Sequence, residues 1–340
     1  MIGDIRPGAE ISRPGCSGLL AGVDIGGTTT QVVLCDVDLQ VVAHAEAPTP
    51  ALVSGDAMAA TAASLVHSLV AVDGRALVGV GVGAAGVVDA VSGRILVASD
   101  SFVGWSGFPL TSVLARDLGA PTFLDNDVNA FLRGEISTGS IAGVHEALGI
   151  TLGTGVGGAL WIGGSLWEGP RGAAGEIGHI PGFGDALCTC GGRGHLETLA
   201  SGRSIARRYA TRAIECHGVR HTIAEALEPL LTGSGSVTAR DVAAFAMAGD
   251  EDALTVLTDA AEAVAHGILI TAGLLDVTTV VVGGGVSHSW PLLGQLVREA
   301  LDRQPPVSGA AIRLELSGLG AHAVALGAAA RARAELAPAT

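Results

Sequence analysis

Short β-branched runs, broken by glycine and aspartate, open the readable part of the chain. Residues 19–49, "LLAGVDIGGTTTQVVLCDVDLQVVAHAEAPT", hold two or three strands joined by a Gly-Gly turn and an Asp-rich turn. The apolar period then changes. After an Asp start, Leu65, Val66, Leu69 and Val70 recur at helical spacing, which predicts a helix over Asp56–Ala71. A buried strand is expected over 77–86, "LVGVGVGAAG", and others over Pro121–Leu124, Ala147–Leu152 and Val277–Val282. Helices are expected over Pro109–Leu118, Ser201–Glu215, Asp252–Leu275 and Ala321–Glu335, with one more after a cap at Thr238 or Asp241. Strands alternating with helices predict an α/β fold.

Composition sets the scale of that fold. A chain of 340 residues exceeds what one core usually serves, so two domains of about 150 residues, or one split fold, are expected. A hydrophobic share of 49% allows a large core, and 51 glycines suit many tight turns. The net charge of −14, without any basic block, argues against a nucleic-acid partner. All 19 basic residues are Arg, which excludes a P-loop lysine, a Schiff base and a lysine general base. The long uncharged run Ala147–Trp167 could span a membrane by length, but its seven glycines and turn pattern oppose that, and no membrane partner is expected. The opening "MIGDIRPGAEISRPG" is charged and lacks a signal-peptide core, so residues 1–17 read as a flexible tail of a cytoplasmic protein.

Three glycine turns follow predicted strands: "DIGGTTT" with Asp24, Gly26, Gly27 and Thr28; "LGTGVGG" with Gly153, Thr154 and Gly155; and "VVGGGVS" with Gly283 and Gly284. Such turns let backbone N–H groups converge on an anion, and the threonines add hydroxyl donors. Each alone is as well read as a plain β-turn; three in order favour phosphate binding. Asp24 is placed to hold water on a magnesium ion. "LDNDVNA", Leu124–Ala130, puts carboxylates after a strand, where α/β proteins build clefts. Asp127 is the candidate base for phosphoryl transfer to an alcohol, and an Asx-rich helix cap by Asp125 or Asn126 is the competing reading.

Residues 175–198, "GEIGHIPGFGDALCTCGGRGHLET", carry the densest chemistry. Glu176, His179 and Glu197 suit hydrogen bonds to sugar hydroxyls. His179, Cys188, Cys190 and His195 supply four ligands for tetrahedral zinc. A redox pair would need C-x-x-C near a helix start, and a nucleic-acid finger would need a wider knuckle and more positive charge. A core histidine beside a chance cysteine pair is the remaining alternative.

Taken in order, "DIGGTTT", "GAAGVVD" (Gly83–Asp89), "LDNDVNA", "TLGTGVGG", "GEIGH", "CTCGGRGHLE" and "VVVGGGVS" resemble the ROK group (repressors, open reading frames, sugar kinases) of the actin-like ATPase superfamily. The resemblance implies a two-domain actin-like ATPase (ribonuclease H-like) fold with mixed β-sheets flanked by helices and an interdomain cleft. It divides the chain into a small domain, 18–125 plus 321–340, and a large domain, 126–320, that carries a zinc-binding loop. It implies ATP and magnesium as cofactors, transfer of the γ-phosphate to the 6-hydroxyl of a hexose or N-acetylhexosamine, and a homodimer. Asp127 would be the general base; Asn126, Glu176, His179 and Glu197 would hold the sugar; Gly283 and Gly284 would lie in the adenosine loop. The structural zinc would sit on His179, Cys188, Cys190 and His195, the last standing where most members have Cys. Thr29 replaces a frequent Lys, and Ala85 and Val87 replace two usual prolines. A sugar-responsive repressor of the same group would carry an added helix-turn-helix module, for which the 23 residues before Asp24 are too few; a non-catalytic sensor would not need Asp24 and Asp127 together.

Overall fold

The computed structural model describes residues 18–217 and 237–337, so the expected tail over 1–17 lies outside the described residues. Two compact units emerge. Among the described residues, one combines those up to His145 with Leu160–Ala174 and those from Ser317 onward; the other combines those of Glu146–Ala159 and Gly175–Leu316.

In chain order the first unit holds β1 (Leu19–Ile25), β2 (Thr29–Cys35), β3 (Val41–Pro48), α1 (Gly55–Asp73), β4 (Leu77–Ala84), β5 (Val87–Asp89), β6 (Arg94–Val97), α2 (Leu110–Leu118), β7 (Thr122–Asn126) and α3 (Asp127–Ser137). Then come β8 (Ala147–Leu152), β9 (Val156–Ile162), β10 (Ser165–Leu166), α4 (Glu197–Ala200), α5 (Gly202–His217), α6 (Ala239–Met247), α7 (Glu251–Leu275), β11 (Thr279–Gly283), α8 (Trp290–Arg303) and β12 (Arg313–Leu316). Helix α9 (Ala323–Leu336) returns to the first unit.

The first sheet runs β3-β2-β1-β4-β7, with β1, β4 and β7 parallel and the β1–β2–β3 meander antiparallel. Strands β1, β2 and β4 bury both faces, so alternate residues meet different helices. Ala21, Val23, Ile25, Val32 and Leu34 join Met58, Val66 and Leu69 of α1 and Leu110 and Leu114 of α2. From the other face, Leu20 and Cys35 meet Ala329, Ala330 and Ala332 of α9. Contact there is close because side chains are missing where backbones touch. A Cβ on Gly22 would sit 1.8 Å from the Ala325 carbonyl oxygen, and one on Gly327 would sit 1.7 Å from that of Ala130. The second contact locks α9 to α3, which is why α3 groups with the first unit although the expected boundary fell before it at 125/126.

The second sheet runs β10-β9-β8-β11-β12, with β8, β11 and β12 parallel. Both sheets are therefore mixed and flanked by helices, the α/β architecture expected. Residues 147–167 form β8, β9 and β10 rather than a spanning helix. Helices α1 and α7 are long and apolar enough to cross a membrane by length and composition; each buries one face in its unit, α7 through Ala253, Val256, Leu257, Ala260, Ala261, Val264 and Ile268.

Candidate active site

Strand register assembles the first group of predicted residues. Asp24 on β1 lies opposite Gly83 on β4, and Gly83 lies opposite Asp125 on β7, so two acids flank a glycine at the C-terminal ends of parallel strands. A Cβ on Gly83 would approach Val324 Cγ1 to 2.5 Å and the Cα of Asp127 to 3.7 Å. Glycine there leaves room for α3 to start against the strand end.

The cap of α3 is Asn126. Its Oδ1 accepts from the amides of Val128 at 2.9 Å and Asn129 at 3.3 Å, and its Nδ2 donates to the Gly86 carbonyl at 2.9 Å. The side chain expected to hold a sugar therefore fixes the helix start as well. Asp127, partly buried, is the first residue of α3 and its Oδ1 accepts from the Val128 amide at 3.0 Å, a position where the helix dipole favours an anion.

The three aspartates differ in what surrounds them. Burial first, and then the charge on Asp127, pushes the Asp24 carboxyl up to about 7. Asp125 has no exposed surface and is clamped between cations: Arg133 Nε donates to Oδ2 at 2.9 Å and Arg331 Nη1 to Oδ1 at 3.0 Å. Asp24 and Asp127 thus share a like-charge environment, and Asp125 is neutralised. Nearby, Gly26, Gly27 and Thr28 join β1 to β2, with the Gly26 amide donating to the Thr29 carbonyl at 3.1 Å.

In the second unit the other two glycine turns lie side by side. Gly283 at the end of β11 is in register with Thr151 on the neighbouring parallel strand β8, whose turn carries Gly153, Thr154 and Gly155. Gly284 has φ 89°, and a Cβ there would sit 2.6 Å from the Leu152 carbonyl oxygen. By contrast a Cβ on Gly153 would meet nothing within 4 Å, which leaves its backbone open to a ligand.

His179 ends a short 3-10 helix, Ile177–His179, and the following loop is folded back by isolated bridges Pro181 to His195 and Leu187 to Arg193. A tight turn at its tip, with the Cys188 amide donating to the Gly192 carbonyl at 2.8 Å, brings the cysteines round. The ligand atoms of His179, Cys188, Cys190 and His195 all lie within 4.8 Å of one another. Sγ of Cys188 is 3.7 Å from Nδ1 of His179, and Sγ of Cys190 is 3.3 Å from Nδ1 of His195. Zinc bonds of about 2.3 Å to sulfur and about 2.1 Å to nitrogen give tetrahedral edges of roughly 3.3–3.8 Å, so the donor set fits that ion. On its other side His179 presents Nε2 to the exposed Glu176 carboxylate at 3.9 Å, an outer partner of the kind that orients ligating histidines.

Glu197, also expected on the sugar, is buried and satisfied internally. Oε2 accepts from the Val156 amide at 3.0 Å; Oε1 accepts from Thr189 Oγ1 at 2.8 Å and Cys188 Sγ at 3.6 Å.

The sequence profile of the ROK family matches residues 20–335. The chain belongs to the ROK family. It is 34% identical over 283 residues to a glucokinase of Halalkalibacterium halodurans, covering 82% of this chain and 83% of that protein. An N-acetylmannosamine kinase of Citrobacter koseri is 32% identical over 312 residues, covering 90% and 98%. Among solved structures, a ROK family glucokinase from Streptomyces griseus in complex with glucose and AMPPNP superposes with a TM-score of 0.79 at 30% identity, covering 93% of this chain and all of that one. The fold is that of the actin-like ATPases.

The two units divide the predicted ROK residues. Asp24, Gly26, Gly27, Thr28, Asn126 and Asp127 lie on the first; Gly153, Thr154, Gly155, Glu176, His179, Cys188, Cys190, His195, Glu197, Gly283 and Gly284 lie on the second. Three supporting side chains escape a linear reading: Arg331, which is 206 positions from Asp125; Thr189, between the two cysteines; and Trp105, whose Nε1 donates to the Ala85 carbonyl at 3.1 Å.

Proposed function

We propose that this protein is an ATP-dependent sugar kinase that moves the γ-phosphate of ATP to the 6-hydroxyl of a hexose or N-acetylhexosamine. The observation that carries this reading is the pair of acids, Asp24 and Asp127, that the strand ends bring together about Gly83. Asp127 opens α3 next to Asp24, whose proton affinity it raises. A carboxylate that opens a helix at a strand end beside a second acid is placed to take a proton from an alcohol.

In the proposed step Asp127 accepts the proton of the sugar O6–H as the bond from O6 to the γ-phosphorus forms. The bond from that phosphorus to its bridging oxygen breaks, and ADP departs with the electron pair. Glu176, His179 and Asn126 hydrogen-bond the ring hydroxyls, and Thr28 and Thr154 donate to phosphate oxygens. The turn at Gly283 and Gly284 takes the adenosine end. Asp24 fits a magnesium ion because two neighbouring carboxylates are relieved by a divalent cation; that ion supplies charge neutralisation on the phosphates. His179, Cys188, Cys190 and His195 would hold zinc in a site closed by four protein ligands, so the ion would pin the loop rather than activate water.

The kinship to glucokinases and to an N-acetylmannosamine kinase supports the substrate class. A coupled ADP-release assay with magnesium, ATP and a panel of glucose, N-acetylglucosamine, N-acetylmannosamine and 6-deoxyglucose tests it. Turnover with at least one of the first three and none with 6-deoxyglucose is expected; no turnover with any of them would overturn the assignment.

A further inference from the structure

The Glu197 carboxylate touches two things at once. Through Oε1 it holds the metal-loop side chains Thr189 and Cys188, and through Oε2 it holds the Val156 amide, the first residue after the Gly153–Gly155 turn. Gly155 is shaped to this contact, since a Cβ there would lie 2.5 Å from Oε2. The contact is reinforced from the other side of the same turn. A Cβ on Gly178, next to His179, would lie 2.0 Å from the Val156 carbonyl oxygen, and one on Gly158 would lie 2.3 Å from that of Gly175. The Gly202 amide, two residues beyond α4, donates to the Gly153 carbonyl at 2.8 Å. The loop that carries the four-ligand cluster and the second glycine turn therefore approach closely, and a single buried carboxylate bridges them.

We propose that Glu197 is a positioning residue that carries the metal occupancy of the His179, Cys188, Cys190 and His195 cluster to the glycine turn at 153–158. Metal fixes Cys188 as a thiolate that no longer donates, the adjoining Thr189 hydroxyl then holds Oε1, and Oε2 holds the Val156 amide, so the turn is ordered before a ligand arrives. Ordering it in advance lowers the entropy lost on binding. Coupling of this kind is reciprocal: whatever occupies the turn must tighten the metal by the same factor. That the occupant is the phosphate chain of a nucleotide rests on the kinase reading above; the coupling between loop and turn does not.

Hydrogen exchange on the full chain, zinc-loaded and zinc-stripped, separates the two claims. In the wild type, stripping zinc should speed exchange at 153–158 along with 188–195. In Glu197→Ala the turn should exchange fast in both states while 188–195 still responds to zinc. Glu197→Gln, which keeps an acceptor for Val156 and a donor for Thr189, should restore much of the zinc response. Thr189→Val removes one hydrogen bond without touching the turn and should weaken the response, which keeps the test alive if Glu197→Ala does not fold. The affinity of magnesium-AMPPNP should fall about 5- to 20-fold on stripping zinc from the wild type, within the usual range of site coupling, and change little in Glu197→Ala. Exchange at 153–158 that ignores zinc in the wild type overturns the proposal. If that exchange responds but AMPPNP binds neither form, the coupling stands and the kinase reading falls.

Discussion

Asp127 and Asp24 carry opposite consequences of the same proximity. Replacing Asp127 by Asn removes the proton acceptor and keeps the side-chain volume at the start of α3. Turnover should drop by roughly 10²- to 10⁴-fold, the usual share of a general base, with sugar affinity by calorimetry largely retained. For Asp24 the sign is fixed by linkage. Its carboxyl ionises near 3.8 when unfolded and at about 7 when folded, so between those values the folded state keeps a proton that the unfolded state has released. Stability contributed at Asp24 is full below the lower value and falls as pH rises toward 7. In chelator, Asp24→Asn should therefore melt above the wild type at pH 8, and the difference should vanish near pH 4; calorimetric melting temperatures across that range check it. The sequence identifies these two acids because both directly follow or end apolar strands. It also offers Asn126 as a helix cap, as observed; it does not reveal that the Asn126 amide nitrogen reaches Gly86 or that Glu197 is buried, because those contacts depend on Gly86, Val156 and Thr189, brought in by tertiary folding.

At the scale of elements, periodicity places most helices and strands to within two residues. Asp252–Leu275 is observed as Glu251–Leu275, and Ala147–Leu152 as expected. Helices α4 and α8 and strands β5, β6, β9, β10 and β12 are among the additions to the expected set. In α8, Pro291 and Gly294 break up the apolar pattern, although proline within the first turn starts a helix rather than ending it. The glycine turns were legible as turns, yet their reasons differ. Of the six named glycines, only Gly284 has positive φ, Gly155 makes space for a carboxylate, and Gly153 faces open space. The same distinction predicts opposite signs for two substitutions to Ala. At Gly327 the added Cβ would collide with the Ala130 carbonyl oxygen, so destabilisation of about 1–3 kcal/mol or more is expected. At Gly273 on α7 nothing lies within 4 Å, and Ala should stabilise by about 0.5–1 kcal/mol through helix propensity. Urea midpoints for both variants measure the pair.

Over the whole molecule, alternating strands and helices made the α/β class readable, but not where the chain returns. The first unit takes its last helix from beyond residue 317, and α9 covers a sheet face built almost 300 residues earlier. Its junction is pinned by Glu135 on α3, fully buried, whose oxygens accept from the Ser140 amide at 2.9 Å, the Gly318 amide at 3.1 Å and the Leu319 amide at 3.1 Å, with the Ser317 hydroxyl at 2.5 Å. A carboxylate with that many donors leaves several buried N–H groups orphaned when removed, at about 1–3 kcal/mol for each unsatisfied group. Glu135→Leu should therefore destabilise strongly, whereas Glu135→Gln, still able to accept through one oxygen, should cost less. Deleting the residues from Gly320 onward goes further: Leu20 and Cys35 lose the alanines of α9 that bury them, and Asp125 loses Arg331 and keeps Arg133 alone. A buried charge stripped of one of its two partners and an uncovered sheet face are together too costly for a marginally stable fold. The truncated protein is expected to show no cooperative thermal transition and to associate in size-exclusion chromatography. A sharp melt with monomer-like elution would mean that α9 is an accessory to the first unit instead of part of its core.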